Sequence, residues 1–245
     1  MEGMVGDGLN SPRVQGGKDA LEDNSICIPD KYTMRNTRVL SVMKAQLEEV
    51  PDDLLETARA EHVTVVNFEG NLLHHMPRGL QHLSDQLSEL VLAKNQIAFI
   101  PACISQFSRL SVANFSCNLL RNLPNEFGAL QMLCELDISH NRLDKLPLCI
   151  GELQNLEVLL ANDNHIRELN ASESGLGGLK RLITLDLRNN DIDTVPPVLG
   201  NLTNIKRLKL TGNPFRQPRH QILSQGTAAI MEYLRGRIPA SASTM

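Results

Sequence analysis

The sequence predicts an α/β solenoid in horseshoe form. A parallel β-sheet is expected on the concave face, with short helical or irregular returns on the convex face. Three observations carry this. Asparagines at 71, 95, 118, 141, 164, 190 and 213 follow one another at steps of 24, 23, 23, 23, 26 and 23 residues. Around each, with substitutions in three of the seven, the chain is apolar at offsets minus eight, minus five, minus three, plus two and plus five. Aromatic residues make up only 3% of the chain and Trp is absent, so the core must be aliphatic. Self-similarity at one such period is the signature of stacked supersecondary units.

The repeat dictates its own local structure. In the Asn118 repeat the frame reads Leu110, Ala113, Phe115, Asn118, Leu120, Leu123 and Pro124; in the Asn141 repeat it reads Leu133, Leu136, Ile138, Asn141, Leu143, Leu146 and Pro147. Apolar residues at minus five and minus three alternate, as a short half-buried strand requires. The Asn stands where the chain must turn inward, and its amide can serve backbone groups that would otherwise be buried unpaired. The Pro sets φ for the return segment. No single repeat can bury its apolar edge by itself, so stability must come from stacking.

The ends depart from the frame. Thr37, Leu40, Val42, Ala45, Leu47, Val50 and Pro51 form a degenerate first repeat with Ala45 in the Asn position, and 54–61 predicts a short helix. Residues 1–36 are polar and aperiodic and predict a disordered segment; 37–218 are assigned to the repeats, one degenerate plus seven, and 219–245 to a helical cap and short tail. Within that cap, one helix is expected from near Pro218 to near Gly226. A second has Thr227 as N-cap and Ile230, Tyr233, Leu234 and Ile238 as its apolar face. Asn170 replaces the Pro of its repeat and about three extra residues enter near 171–178, predicting a bulge on the outer face.

The pattern L-x-x-L-x-L-x-x-N-x-L-x-x-[IL]-P resembles the leucine-rich repeat family in its intracellular form of 23 residues. The tail, with 212–219 and 226–239, resembles the C-terminal part of cytosolic members that carry more repeats upstream. The resemblance implies a scaffold-type protein without catalytic activity.

Charge and composition narrow the function further. The net charge of −4 argues against a nucleic-acid or anionic-membrane partner, both of which favour a basic field. No apolar run reaches membrane-spanning length, and the first ten residues lack the pattern of a secretory signal. Five dispersed cysteines without a close pair read as reduced thiols. A cytoplasmic (or nuclear) monomer is expected. There is no phosphate-binding Gly-rich loop, GxSxG, HExxH or zinc-like cysteine spacing, so no catalytic residue, cofactor or metal is assigned. The function expected is protein–protein interaction, as a signalling scaffold binding a partner protein on its concave face. The alternative is a regulatory or targeting subunit of a phosphatase or ubiquitin ligase.

Within each repeat, outward offsets from minus seven to minus one supply the candidate face. The residues assigned to partner binding are Glu135, Asp137, Ser139, His140, Val158, Leu160, Asn162, Asp186, Arg188 and Lys209. Val158 and Leu160 are expected to be exposed among the acids Glu135, Asp137, Glu157, Asp163 and Asp186, an arrangement that suits a basic, partly apolar partner.

Overall fold

A computed structural model describes residues 28–239. Eight strands of three residues pair in sequence order into one parallel sheet. They are β1 Val39–Ser41, β2 Val65–Asn67, β3 Glu89–Val91, β4 Val112–Asn114, β5 Glu135–Asp137, β6 Val158–Leu160, β7 Thr184–Asp186 and β8 Arg207–Lys209. With neighbouring strands about 4.8 Å apart, the sheet is roughly 35 Å across. The register is in phase throughout, so the minus-five residues Leu40, Val66, Leu90, Ala113, Leu136, Leu159, Leu185 and Leu208 form one row. All eight are buried.

The returns are 3-10 turns at Arg78–Leu83, Ala102–Gln106, Asn125–Ala129, Leu148–Glu152, Leu176–Gly178 and Pro197–Asn201. Pro77, Pro101, Pro124, Pro147 and Pro196 stand directly before five of them, where a fixed φ suits entry into a tight turn. The exception follows Asn170. There the Asn170 carbonyl accepts from Leu176 N–H and its side chain accepts from Ser172 N–H, so the inserted residues fold back on themselves. This turn lies close against the preceding return. A Cβ on Gly151 would stand 2.6 Å from the carbonyl oxygens of Ser174 and Gly175.

Between the repeats, the backbone rungs repeat as faithfully as the sequence. Each minus-three N–H reaches the minus-four carbonyl of the following repeat, from Val42 to Asn67 through Leu187 to Lys209. Each minus-one N–H reaches the following minus-two carbonyl, from Lys44 to Glu69 through Asn189 to Thr211. The residue at minus one adopts the left-handed conformation in every repeat: Lys44, Gly70, Lys94, Cys117, His140, Asp163, Asn189 and Gly212 all have φ between 52° and 76°. Two of the eight are Gly, which reaches this region at no steric cost.

The asparagines form the inner ladder expected of them. Asn141, for example, donates from Nδ2 to the carbonyls of Phe115, Ile138 and Ser139, and its Oδ1 accepts from Leu120 N–H at 2.9 Å. The amide thus joins its own turn to the preceding repeat. Asn71, Asn95, Asn118, Asn164, Asn190 and Asn213 repeat the arrangement.

At the N-terminal end, residues 31–36, expected to lack structure, belong to helix α1, Lys31–Thr37; residues 1–27 lie outside the described part. Asp30 caps α1 through Thr33 N–H, Met34 is buried under it, and Arg35 clasps Glu61 with two hydrogen bonds of 2.6 and 3.0 Å. Those contacts explain how a short polar stretch becomes ordered: its anchors lie 26 residues away in sequence. Helix α2, Asp52–Ala60, begins two residues before the expected start at Leu54.

The C-terminal cap is helix α3, His220–Leu223, followed by α4, Thr227–Arg235. Helix α3 begins two residues after Pro218 and is a single turn, with no side-chain cap and no acid in its first turn. Thr227 is not the N-cap of α4; Gly226 is. The Thr227 hydroxyl instead accepts from Leu208 N–H at 2.9 Å, serving a donor on the outer edge of β8. Ile230 and Leu234 are buried as expected, and Met231 joins them, while Tyr233 is half-buried and Ile238 lies beyond the helix. Cys103, Cys117, Cys134 and Cys149 are free thiols. Burial pushes the Cys149 thiol up to about 11, which leaves it protonated and inert at neutral pH.

Candidate functional site

Strand periodicity places minus-six and minus-four side chains outward, and the structure shows those rows half-exposed in most strands. The minus-six row runs Val39, Val65, Glu89, Val112, Glu135, Val158, Thr184 and Arg207; the minus-four row runs Ser41, Asn67, Val91, Asn114, Asp137, Leu160, Asp186 and Lys209.

The acids expected to cluster on this face divide into two kinds. Asp137 uses Oδ1 to accept from both Ser139 N–H, at 2.9 Å, and the Ser139 hydroxyl, at 2.6 Å. Ser139 itself is buried. Asn67, Asn114 and Asp186 likewise accept from the N–H two residues on. This is an Asx turn that ends the strand. Its sequence signal was present: Asn or Asp stands at minus four in four of the eight repeats. Asp163 accepts from Asn162 Nδ2 at 2.7 Å and from Asn189 Nδ2 at 2.9 Å, with His140 Nε2 3.5 Å away. The Asn162 bond foremost, then Asn189, hold its carboxyl below the usual range.

Asp186 is the most committed of these groups. Its side chain is 3% exposed, gripped by Arg188 at 2.8 Å and approached by Lys209 at 3.3 Å. Burial pushes this carboxyl up, but the Arg188 side chain and backbone N–H, with Lys209, outweigh burial and keep it below its ordinary value. The stabilisation this implies is present above the unfolded carboxylate range and disappears as pH falls through the folded value. Asp186→Ala is expected to lower unfolding free energy by about 2 kcal/mol at neutral pH. In urea titrations the gap from wild type should narrow below about pH 4; a gap that stays constant down to pH 2 would contradict this assignment.

By contrast, Glu135 is exposed, and Glu89 and Glu157 are half-buried. Among the described residues none of the three carboxylates has a hydrogen-bond or ion-pair partner. Val158 and Leu160 are half-buried, not exposed as expected. The register explains it: Val158 sits between Glu135 and Thr184, and Leu160 between Asp137 and Asp186, each one strand spacing away. Arg188 is half-buried against Asp186, while His140 and Lys209 are exposed at opposite ends of the assigned set.

Of the predicted residues, Glu135, Asp137, Val158, Leu160, Asp186 and Lys209 lie on the sheet at minus six and minus four, whereas Ser139, His140, Asn162 and Arg188 lie in the turns that follow the strands. The sequence-derived set also omitted two residues. Glu89 and Val112 continue the row of Glu135 and Val158, so acid and aliphatic alternate across β3, β4, β5 and β6. The signal that could have found them is the minus-six offset, which aligns these four positions. No group of three or more His, Cys, Asp or Glu among the described residues is arranged to hold a metal ion. No helix among them is long and apolar enough to cross a membrane.

Comparison with known proteins agrees with the geometry. The patterns for "Leucine Rich repeats (2 copies)" and "Leucine Rich Repeat" match residues 180–218 and 132–153. The mouse (Mus musculus) leucine-rich repeat and calponin homology domain-containing protein 1 is 32% identical over 108 residues, 44% of this chain and 14% of that protein. Its human (Homo sapiens) counterpart is 31% identical over the same shares. This chain thus spans a small fraction of the curated relatives it matches. Among solved structures, a leucine-rich-repeat protein of Leptospira interrogans superposes with a TM-score of 0.65 at 23% identity, covering 77% of this chain and 53% of that one. An internalin of Listeria monocytogenes superposes at 0.61 and 21% identity, covering 78% and 53%. These matches support the leucine-rich repeat family, and the fold is its solenoid. Proteins of this kind generally mediate protein–protein interaction and are generally not enzymes.

Proposed function

We propose that this protein is a non-catalytic scaffold whose concave sheet binds a partner protein presenting a basic, partly apolar segment. The observation that supports it best is the minus-six row, Glu89, Val112, Glu135 and Val158. Its carboxylates have no internal partner among the described residues and its aliphatic side chains stay partly open. A free carboxylate retains its charge for a partner, whereas Asp137, Asp163 and Asp186 are held by their own repeat or its neighbour. Desolvated aliphatic contacts ringed by charge are the usual composition of an interaction hot spot. The same role is implied by the resemblance of 212–219 and 226–239 to the C-terminus of leucine-rich repeat-containing protein 40, which resembles cytosolic scaffold-type repeat proteins.

The test is affinity capture on the full chain, comparing wild type with Glu89→Lys/Glu135→Lys and with Val158→Glu. Partners retained by wild type should be depleted at least tenfold by either variant, with circular dichroism unchanged because surface substitutions of this kind leave the fold near its original stability. Equal capture by all three would reject the concave sheet as the binding face.

A further inference from the structure

The rungs that join each repeat to the next have no successor at the last one. The minus-three N–H series reaches a following carbonyl in every repeat up to Leu187, and the minus-one series up to Asn189. Leu210 N–H and Gly212 N–H are the next members of those series, and neither has a hydrogen-bond partner among the described residues. Only Leu208 N–H, one rung earlier, is served, by the Thr227 hydroxyl. The C-terminal cap therefore closes one of these three donors on the β8 side and leaves two open.

Leu210 and Thr211 of this open stretch form part of the wall of a cavity of about 320 Å³, between β8 and the junction of α3 with α4. Leu208, Leu210, Leu223 and Ile230 contribute its apolar lining. Arg188, Arg207 and Lys209 are its charged residues, and no acidic residue lines it. The buried carboxylate of Asp186 lies behind and offsets part of the charge on Arg188 and Lys209, while Arg207 meets only the Thr184 hydroxyl. Lys206 is exposed beside it.

We propose that this edge and cavity bind an extended acidic peptide segment of another protein, added in parallel to β8 as a short ninth strand. Two of its carbonyls, two residues apart, accept from Leu210 N–H and Gly212 N–H, as Lys209 and Thr211 do for β7 and its turn. Alternate side chains then enter the apolar cavity and the others lie on the side of Arg207 and Lys209, the mode by which main-chain bonds supply affinity and pockets supply specificity. Charge decides the occupant. A second copy stacking head to tail in register would set Arg38 of its first repeat opposite Lys206, an unfavourable juxtaposition of like charges. The surface is separate from the Glu89–Val158 row, so this proposal and the concave-face reading stand or fall independently.

The experiment uses the full chain and a fluorescein-labelled peptide alternating valine with glutamate, with a valine–lysine peptide as control. Saturable binding of the glutamate peptide is expected, weakened by salt and roughly tenfold by Arg207→Glu. In hydrogen exchange read by NMR, the Leu210 and Gly212 amides should gain protection on binding. Any of four results overturns the proposal: no saturation at millimolar peptide; equal binding of the lysine peptide; binding that leaves those two amides unprotected; or protection that appears with protein concentration alone, which would assign the edge to a second copy.

Discussion

Replacing Asn141 by Ala is expected to lower the unfolding free energy by about 3 kcal/mol. Its side chain makes four hydrogen bonds, but their loss is not equally severe. The carbonyls of Phe115, Ile138 and Ser139 keep a second donor each, from Asn118 Nδ2, Asn164 Nδ2 and Cys117 N–H. Leu120 N–H keeps none and is left buried and unpaired, which accounts for most of the expected effect. Asn141→Asp should be worse, because a carboxylate replaces the donor amide opposite three carbonyl oxygens. Asn213→Ala is the control. Asn213 closes the ladder, is only part-buried, and has no later repeat beyond it, so about 1–2 kcal/mol is expected there. Urea midpoints with unchanged m-values measure all three; a loss at Asn213 as large as at Asn141 would show that the ladder is not what holds the middle repeats.

Phe127→Ala should cost a similar or larger amount, about 3–5 kcal/mol. The ring is fully buried under the Asn125–Ala129 return and stands edge-on to Phe115, with centroids 6.3 Å apart. An edge-to-face pair adds to what burial of the area supplies. In so aliphatic a core, no other buried aromatic pair is found among the described residues. Phe127→Leu, which keeps most of the volume, should cost about 1–1.5 kcal/mol. Since each repeat touches only its neighbours, a defect in the middle should divide the array. Amide exchange is therefore expected to accelerate first in β3, β4 and β5, with β8 least affected. Uniform acceleration across all eight strands would instead indicate one indivisible cooperative unit.

Both predictions rest on residues legible in the repeat pattern. Asn141 occupies a frame position and Phe127 continues the apolar pattern past Pro124, and their burial follows from a period that admits one inward direction per offset. The candidate face was legible more coarsely. Offset arithmetic placed Glu135 and Val158 on the outer side of the sheet, because the side of a strand residue depends only on the parity of its position. It did not say which acids are free. Asp137 and Asp186 bind backbone N–H groups two residues on, and Asp186 draws Lys209 from the next strand. Such choices depend on rotamers and on neighbours more than 20 residues away.

The sequence by itself determined the repeat period, the parallel order of the strands, the inner asparagine ladder and the aliphatic core. Each follows from local periodicity repeated in register, and in a solenoid, where contacts run between adjacent units, local periodicity dictates the whole. Only the tertiary structure decided how the two ends are finished and where charge remains uncommitted. Helix α1 is held by the Arg35–Glu61 clasp, and Thr227 serves the edge of β8 instead of its own helix. At an end there is no next repeat to supply partners, so each orphaned group takes whatever donor or acceptor the fold brings near, and periodicity has nothing to say about which one that is.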